Sequence, residues 1–432
     1  MWQHRTERIK VGKSKKLSKL CHNVKNLYNR AMWKVKKKLK EEGKLYSYYD
    51  LERELKGEQC YRILPAQTAQ QTLKLLIREW KAYFQAVKEY RTDPQKFYAP
   101  PKAPRYKSKK GEKVAILTNQ QAKIRNGRLI LPKKVGYTVL TRLTEMDKIA
   151  EVRIIPKGVG YNIEIVYRKH VPKIKKNVNK KRIAAIDLGM VNLVTLVDNI
   201  GSRPIVVKDT GKGIKSIHQY YLKRLAKLQR QYSLQAQQKG LKHPVYGPAF
   251  KRLNSKWLNK SRDYLHKLSS YIVRLCQLRG ITHLVVGYNP TWKQHLRLHR
   301  KTTQLFVLLP YDYFLNLLEY KCQEVGISFS RVEEDYTSKC SFLDDEPVQK
   351  HQTYLGKRVT RGLYRSSKGI EINADVNAAY NILVLSDPQA LPPRSVGGVG
   401  GYVVYPLRVT EKDFLHSFSF PTELRSHFAT VR

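Results

Sequence analysis

Carboxylates are the scarce group in this chain of 432 residues. Only 34 Asp and Glu stand against 83 Lys and Arg, a formal net charge of +49. A compact state so short of acid repels itself unless a polyanion neutralises it, so the expected partner is nucleic acid rather than an anionic membrane surface. Long apolar runs are missing as well. No run of 18 apolar residues exists, and Met1, Trp2, Gln3, His4 and Arg5 lack the apolar segment of a signal peptide, which predicts an intracellular (cytoplasmic) protein with no membrane partner. Cysteine is sparse. Cys21, Cys60, Cys276, Cys322 and Cys340 are odd in number and scattered, and no pair has two-residue spacing, so neither a disulfide framework nor a four-thiolate zinc site can be written from them. What the chain does have is 41% hydrophobic and 10% aromatic residues, enough to bury a core. At roughly 100 to 200 residues per domain, the length allows two to four domains.

Periodicity divides the chain. Leu17, Leu20, Val24, Leu27, Tyr28, Ala31, Val35 and Leu39 fall at helical spacing, as do Ala69, Leu73, Leu76, Trp80, Tyr83, Phe84 and Val87 behind Pro65. A Pro-rich basic break follows at 93–111. From Val114 to His170 the period drops to two, with strands expected at 115–118, 128–131, 152–155 and 161–167 and a type I′ hairpin turn at Asn126 and Gly127. These predict a small antiparallel barrel completed by His4 to Lys10, with the helical pair inserted in it. After a basic linker at 171–181, three tightly joined strands (183–188, 193–198, 204–208) precede basic helical stretches at 213–280. A strand at 282–287, a helix at 303–325, a strand at 327–332 and a helix at 372–384 follow. Three hairpin-linked strands continued by strands alternating with helices imply a mixed sheet covered by helices on both faces.

In so basic a chain an acid at the end of an apolar strand stands out, because a buried carboxylate is costly unless it binds a cation or pairs with a base. Asp187 ends the run Ala184, Ala185, Ile186. It is either a cap for the turn at Gly189 or a ligand for Mg²⁺, a hard cation that takes oxygen ligands from several strands. Asp375 follows Asn373, where the dipole of a helix first turn equally explains it.

Three ordered blocks carry a family resemblance: Ile186, Asp187, Leu188, Gly189 with Asn192 and Leu193; Tyr336 to Ser341; and Asn373, Ala374, Asp375, Val376, Asn377, Ala378, Ala379, Asn381, Ile382. Together with Arg105, Tyr106 and the stretch Thr118 to Gln121, they resemble the TnpB family, proteins encoded by insertion sequences and related to type V CRISPR effectors. The resemblance implies a multidomain α+β protein. Its RNase H-like RuvC domain would have a mixed sheet, preceded by a split antiparallel β-barrel with an inserted helical recognition lobe. It also implies a guide RNA and double-stranded target DNA as partners, a short motif beside the target, and cutting with two Mg²⁺ ions held by aspartates that map onto Asp187 and Asp375.

The chain departs from the family twice. The second block normally ends its strand in a glutamate, but here Leu284, Val285 and Val286 lead to Gly287. On the next strand Val332 is followed by Glu333 and Glu334, and neighbouring strand ends lie about 5 Å apart, so either glutamate is a candidate third ligand and catalytic residue. A solvated acidic loop is the other reading, and with it comes a guided DNA-binding, repressor-like protein that does not cut. The zinc-ribbon cysteine pairs are also missing. Cys340 and His351 alone predict no structural zinc, leaving 341–369 as a basic nucleic-acid contact. The expected domains are therefore 1–13 with 96–172 (split barrel), 14–95 (helical insertion), 181–340 with 370–385 (nuclease), 341–369 (ribbon-like insertion) and 386–432 (flexible tail). Charge is densest at the front. Residues 1–40 hold 14 Lys and Arg against Glu7 alone, a salt-dependent phosphate-binding surface.

Overall fold

The computed structural model describes residues 2–172, 182–211, 213–289, 300–389 and 406–415, and the chain divides into two compact α+β units, Met1–His170 and Val171–Arg432. No helix among the described residues is long and apolar enough to cross a membrane.

The first unit runs β1 (Trp2–Val11), α1 (Lys15–Glu42), α2 (Tyr48–Leu55), α3 (Gln59–Arg62), α4 (Ala66–Thr92), β2 (Ala115–Thr118), β3 (Lys123–Arg125), β4 (Arg128–Ile130), β5 (Thr138–Leu140), β6 (Lys148–Pro156) and β7 (Tyr161–His170). Helix α1 opens where the Ser14 hydroxyl accepts from the Leu17 N–H and closes at Gly43, whose φ of 67° suits a residue without Cβ. Its stripe from Leu17 to Val35 is buried together with Ala69, Leu73 and Leu76 of α4. The Pro-rich break is stitched down. Lys113 Nζ donates to Glu79 at 2.9 Å, Asn29 exchanges hydrogen bonds with the Lys107 backbone, and the buried Lys25 donates to the Lys109 carbonyl at 2.7 Å.

Strands β1-β7-β6-β2 make one antiparallel sheet and β3-β4-β5 another. Asn126 and Gly127, with φ of 48° and 65°, form the turn joining β3 to β4, as two positive φ values require. The expected barrel is corrected by this arrangement, since the sheets are not closed into one. The three-residue strands β3 to β5 pair with one another in a separate sheet, and β1 and β2 remain the two edges of the larger sheet.

The second unit runs β8 (Ile183–Asp187), β9 (Asn192–Asp198), β10 (Ile205–Lys208), α5 (Ile214–Gln238), α6 (Pro248–Leu278), β11 (His283–Gly287), α7 (Arg300–Leu308), α8 (Tyr311–Glu324), β12 (Ser328–Val332), β13 (Lys357–Thr360), β14 (Leu363–Arg365), β15 (Glu371–Asn373), α9 (Ala374–Ser386), β16 (Leu407–Val409) and α10 (Glu411–Leu415). Its main sheet has the order β12-β11-β8-β9-β10-β16. Strands β8, β9 and β10 form an antiparallel meander, while β11 lies parallel to β8 and β12 parallel to β11. Ala184 and Ile186 of β8 face a core with α6 and α8, and Ile183 and Ala185 face another with α9. A strand covered on both faces has to be apolar at every position, which is why β8 reads as an unbroken run.

Two expectations change in this unit. The helix expected over 303–325 breaks at Leu309 and Pro310 into α7 and α8, because proline supplies no N–H and fixes its own φ. The stretch expected as a flexible tail lies mostly outside the described residues, but Leu407–Val409 adds β16 in parallel to β10 and Phe414 of α10 is fully buried. Glu411 fastens this segment by accepting from the backbone N–H of Thr210 at 2.9 Å.

Candidate active site

The parallel strands β8, β11 and β12 run in register, Ile186 beside Val286 and Gly287 beside Val332, so their carboxyl ends share one edge of the sheet. Asp187 is the last residue of β8. The turn behind it is tight. A Cβ on Gly189 would meet the carbonyl oxygen of Asn192, so glycine lets the chain double back and start β9 at Asn192. Asn192 then donates from Nδ2 to Oδ2 of Asp375 at 2.7 Å, and the Tyr311 hydroxyl donates to the Gly189 carbonyl at 3.2 Å.

Asp375 sits in the first turn of α9, where Asn373 caps the helix by accepting from the N–H groups of Asp375 and Val376, both at 3.1 Å. Arg358, on β13, places a guanidinium nitrogen 3.2 Å from Oδ1 of Asp375 and also donates to the Arg361 carbonyl. Burial, and after it the charge of Asp375, hold the Asp187 carboxyl well above the ordinary carboxylate range, against opposing contributions from Arg358 and the Leu188 N–H. Two carboxylates in that relation fit a divalent cation, with the Arg358 guanidinium standing as their nearest counter-charge.

The edge of the sheet also separates the two candidate glutamates. Glu333 is exposed and Glu334 is half-buried. A Cβ on Gly287 would run into Oε2 of Glu334 and Cδ1 of Ile382, so the Glu334 carboxylate occupies the volume that a side chain at the end of β11 would fill. Its charge reaches the Tyr311 hydroxyl, whose proton affinity is raised by burial, then by Asp187 and Glu334. Asp187 thus feels the charge of Asp375, and Tyr311 that of both Asp187 and Glu334, which makes these three carboxylates electrostatic neighbours at one edge of the sheet. Among the described residues no three His, Cys, Asp or Glu side chains are drawn together closely enough to hold a metal ion.

Two buried asparagines that the sequence left without a role fix this geometry. Asn377 and Asn381, one turn apart on α9, both donate to the Cys340 carbonyl at 2.8 Å, and Asn381 also donates to the Thr337 carbonyl at 2.8 Å. Oδ1 of Asn377 accepts from the Phe342 N–H at 3.0 Å. The helix that carries Asp375 is thereby clamped to the loop that follows Glu334. Buried asparagines at four-residue spacing in an apolar helix are the signal that would have exposed them.

The segment 341–369 folds through carboxylates. Glu346 accepts from the N–H groups of Ser341 at 2.7 Å and Leu355 at 3.0 Å, and Asp344 accepts from Ser341 and Ser367. Cys340 is buried, which raises its thiol, and donates to the Gln349 carbonyl at 3.4 Å, while His351 bonds the Pro347 carbonyl.

The raised Asp187 carboxyl has a consequence for stability. Because the folded state keeps this proton to higher pH than the unfolded chain does, the associated stability is present below about pH 4 and is lost as pH climbs through the raised value. In EDTA the Tm should therefore contain a component that falls over that interval. Asp187→Asn should remove this component and Mg²⁺ should offset it; identical Tm profiles for parent and variant would contradict the assignment.

Residues 164–293 match the family described as a probable transposase (OrfB_IS605), and residues 311–382 match the Cas12f1-like, TNB domain. The first match spans β8 to β11 with Asp187 and Gly287, and the second spans β12 to α9 with Glu334 and Asp375. The two matched stretches together cover a little under half of the chain and agree with the resemblance of its sequence to the TnpB family. Comparison with curated proteins gives no match. Among solved structures, a Cas12f1-sgRNA-target DNA complex is similar at 14% identity over 85% of this chain and 83% of that one, with a TM-score of 0.47. CasPhi-2 (Cas12j) bound to crRNA is similar at 10% identity over 92% and 99%, with a TM-score of 0.39. C2c1 of Alicyclobacillus acidoterrestris in complex with single-guide RNA is similar at 11% identity over 86% and 67%, with a TM-score of 0.35.

Proposed function

We propose that this chain is an RNA-guided DNA endonuclease of a transposable element. It would cut double-stranded DNA beside a short flanking motif by Mg²⁺-dependent hydrolysis in an RNase H-like, RuvC-type domain. An antiparallel meander continued by two parallel strands, with helices on both faces, supports that domain reading. The observation that carries the proposal is the exchange between Gly287 and Glu334. The strand β11 ends in a residue without a side chain, and the carboxylate of Glu334, just beyond the neighbouring β12, occupies that volume at the sheet edge where β8 ends in Asp187, itself an electrostatic neighbour of Asp375.

Asp187, Glu334 and Asp375 would hold the cations. Bound Mg²⁺ supplies Lewis acidity at the phosphodiester and a more acidic water. The remaining work belongs to the chain. Asn192 orients Asp375, the Asn377 and Asn381 clamp fixes the loop that follows Glu334, and the Arg358 guanidinium beside Asp375 would be placed to bind a phosphate oxygen. Guide RNA and target DNA account for the net charge of +49.

The test is plasmid cleavage by the protein purified with its bound RNA, on a matched target with randomised flanks, in Mg²⁺ or EDTA, beside Asp187→Ala. Cutting that needs both Mg²⁺ and Asp187 is the expected result. Target binding without scission would favour the second reading, a guided DNA-binding protein, for which the carboxylates' failure to close on a common point speaks.

A further inference from the structure

The first unit carries a groove that the nuclease chemistry does not use. A cavity of about 680 Å³ opens between the β3-β4-β5 sheet and the end of β6, lined by Lys123, Arg125, Lys148 and Arg168 among others. A second cavity, of about 250 Å³, continues it past Lys148 and Arg168 to Trp2 and His4. The register builds this floor, because His4 pairs with Arg168 and Arg168 with Lys148, which lines up three basic residues across β1, β7 and β6. Trp2 stands at the open end, 58% exposed, with the His170 ring edge-on at 5.4 Å and Lys148 Nζ 5.4 Å from its centroid. An exposed indole steadied on one flank by histidine and lysine is a platform for a flat ring.

The groove's chemistry selects its occupant. Lys123, Arg125, Lys148 and Arg168 are exposed, so their charge faces the groove and solvent. The two carboxylates at the rim are engaged inward: Glu145 accepts from the Asn126 N–H at 3.2 Å and Asp147 from the Thr144 N–H at 2.7 Å. Each keeps acceptor capacity, and Asn119 also lines the cavity. Phosphates need the cations, a base face needs Trp2, and a ribose 2′-hydroxyl needs acceptors. The volume lies within the range of about 300 to 1,000 Å³ typical of ligand pockets, and a base inside a duplex stack offers no free face to an indole.

We propose that this groove binds an unpaired segment of RNA, with one base stacked on Trp2 and the flanking phosphates on Lys148, Arg168, Lys123 and Arg125. The proposal rests on the reading of the chain as an RNA-binding protein, and it adds a place for a single-stranded stretch outside the nuclease unit.

The experiment uses the full chain freed of bound RNA and a short fluorescent single-stranded oligoribonucleotide carrying 4-thiouridine. Anisotropy over a salt series and photocrosslink mapping are the readouts. Trp2→Ala should weaken binding by about tenfold, Trp2→Phe should restore most of it, and the crosslink should fall on β1 or β7. Lys148→Gln with Arg168→Gln should lower the salt slope by about 1.4, two phosphates at roughly 0.7 each. All these side chains are exposed, and an unchanged Tm confirms the fold of each variant. Unaltered affinity, slope and crosslinks in the variants would overturn the groove while leaving RNA binding by the chain intact. A full chain that binds no RNA at all would overturn both readings. Equal affinity for the deoxy version of the oligonucleotide would overturn the assignment to RNA.

Discussion

Glu334→Gln is expected to lower Mg²⁺-dependent strand scission on the order of a thousandfold, equivalent to about 4 kcal/mol of transition-state stabilisation, while Glu333→Gln leaves it within a few-fold. The two residues are neighbours of like chemistry, so composition and net charge are matched in this comparison and only position differs. Glu333 is exposed, whereas Oε2 of Glu334 is buried where a side chain at position 287 would otherwise lie. The amide keeps the volume and removes the charge, so a folding defect is not the expected cause of the loss. A reciprocal exchange sharpens the test. Gly287→Glu alone would collide with Glu334 and Ile382, while Gly287→Glu combined with Glu334→Gly and Ile382→Val, which trims the Cδ1 methyl, returns the carboxylate to the end of β11 and should recover part of the activity. Equal losses for Glu333→Gln and Glu334→Gln would sink the assignment, as would full activity in both. Mg²⁺ affinity measured on the RNA-bound protein should move with scission, because the same carboxylate is asked to hold the ion.

How far these features could be read in advance follows the distance over which each is determined. The stripes of α1 and α4, the Asn126 and Gly127 turn and the apolar run of β8 are set by neighbours within a few residues, and periodicity or turn chemistry exposes them. Asp187 and Asp375 stand out because acids are rare in the chain and each closes an apolar or capped motif, and the structure brings their charges within reach of one another. Choosing between Glu333 and Glu334 needed the side-chain direction after β12, which no periodicity in a two-residue acidic step can supply. Arg358 was one basic residue among several in its segment until the β13 and β14 hairpin carried it to Asp375. Strand β16 was hidden for a related reason. Three residues behind a Pro- and Gly-rich stretch carry little local signal, and their partner β10 lies far back in the chain. The barrel failed as an expectation because alternation identifies strands without saying which edges will pair.

Arg279→Ala is expected to cost about 3 to 5 kcal/mol of stability in the second unit, a fall in Tm large enough to see by calorimetry. Arg279 NH1 lies 2.9 Å from Oδ2 of Asp198, with the two side chains only 4% and 0% exposed, and its NH2 donates to the Arg203 carbonyl at 3.0 Å. Oδ1 of Asp198 accepts from the N–H groups of Ile200 and Ser202 at 3.2 and 3.0 Å, so the carboxylate organises the turn between β9 and β10. Removing the guanidinium leaves a buried charge with backbone donors alone, and that residual charge sets the cost. Asp198→Asn with Arg279→Met should therefore be milder than Arg279→Ala, since neither partner is then left charged; a double variant as unstable as the single one would show that turn geometry, not charge, carries the energy. The pairing also contrasts with the carboxylates at the other end of the sheet. Asp198 closes β9 at the end of the sheet opposite Asp187, its partner position being Ala184 at the start of β8. There the chain gives a buried carboxylate its own arginine and two N–H donors. Asp187, in the same sheet, has the carboxylate of Asp375 as its strongest charged neighbour, and Arg358 bonds Asp375 instead. A fold that gives its structural carboxylate an arginine and backbone donors leaves the Asp187 and Asp375 pair with Arg358 as its counter-charge, and the proposed cation would offset what remains.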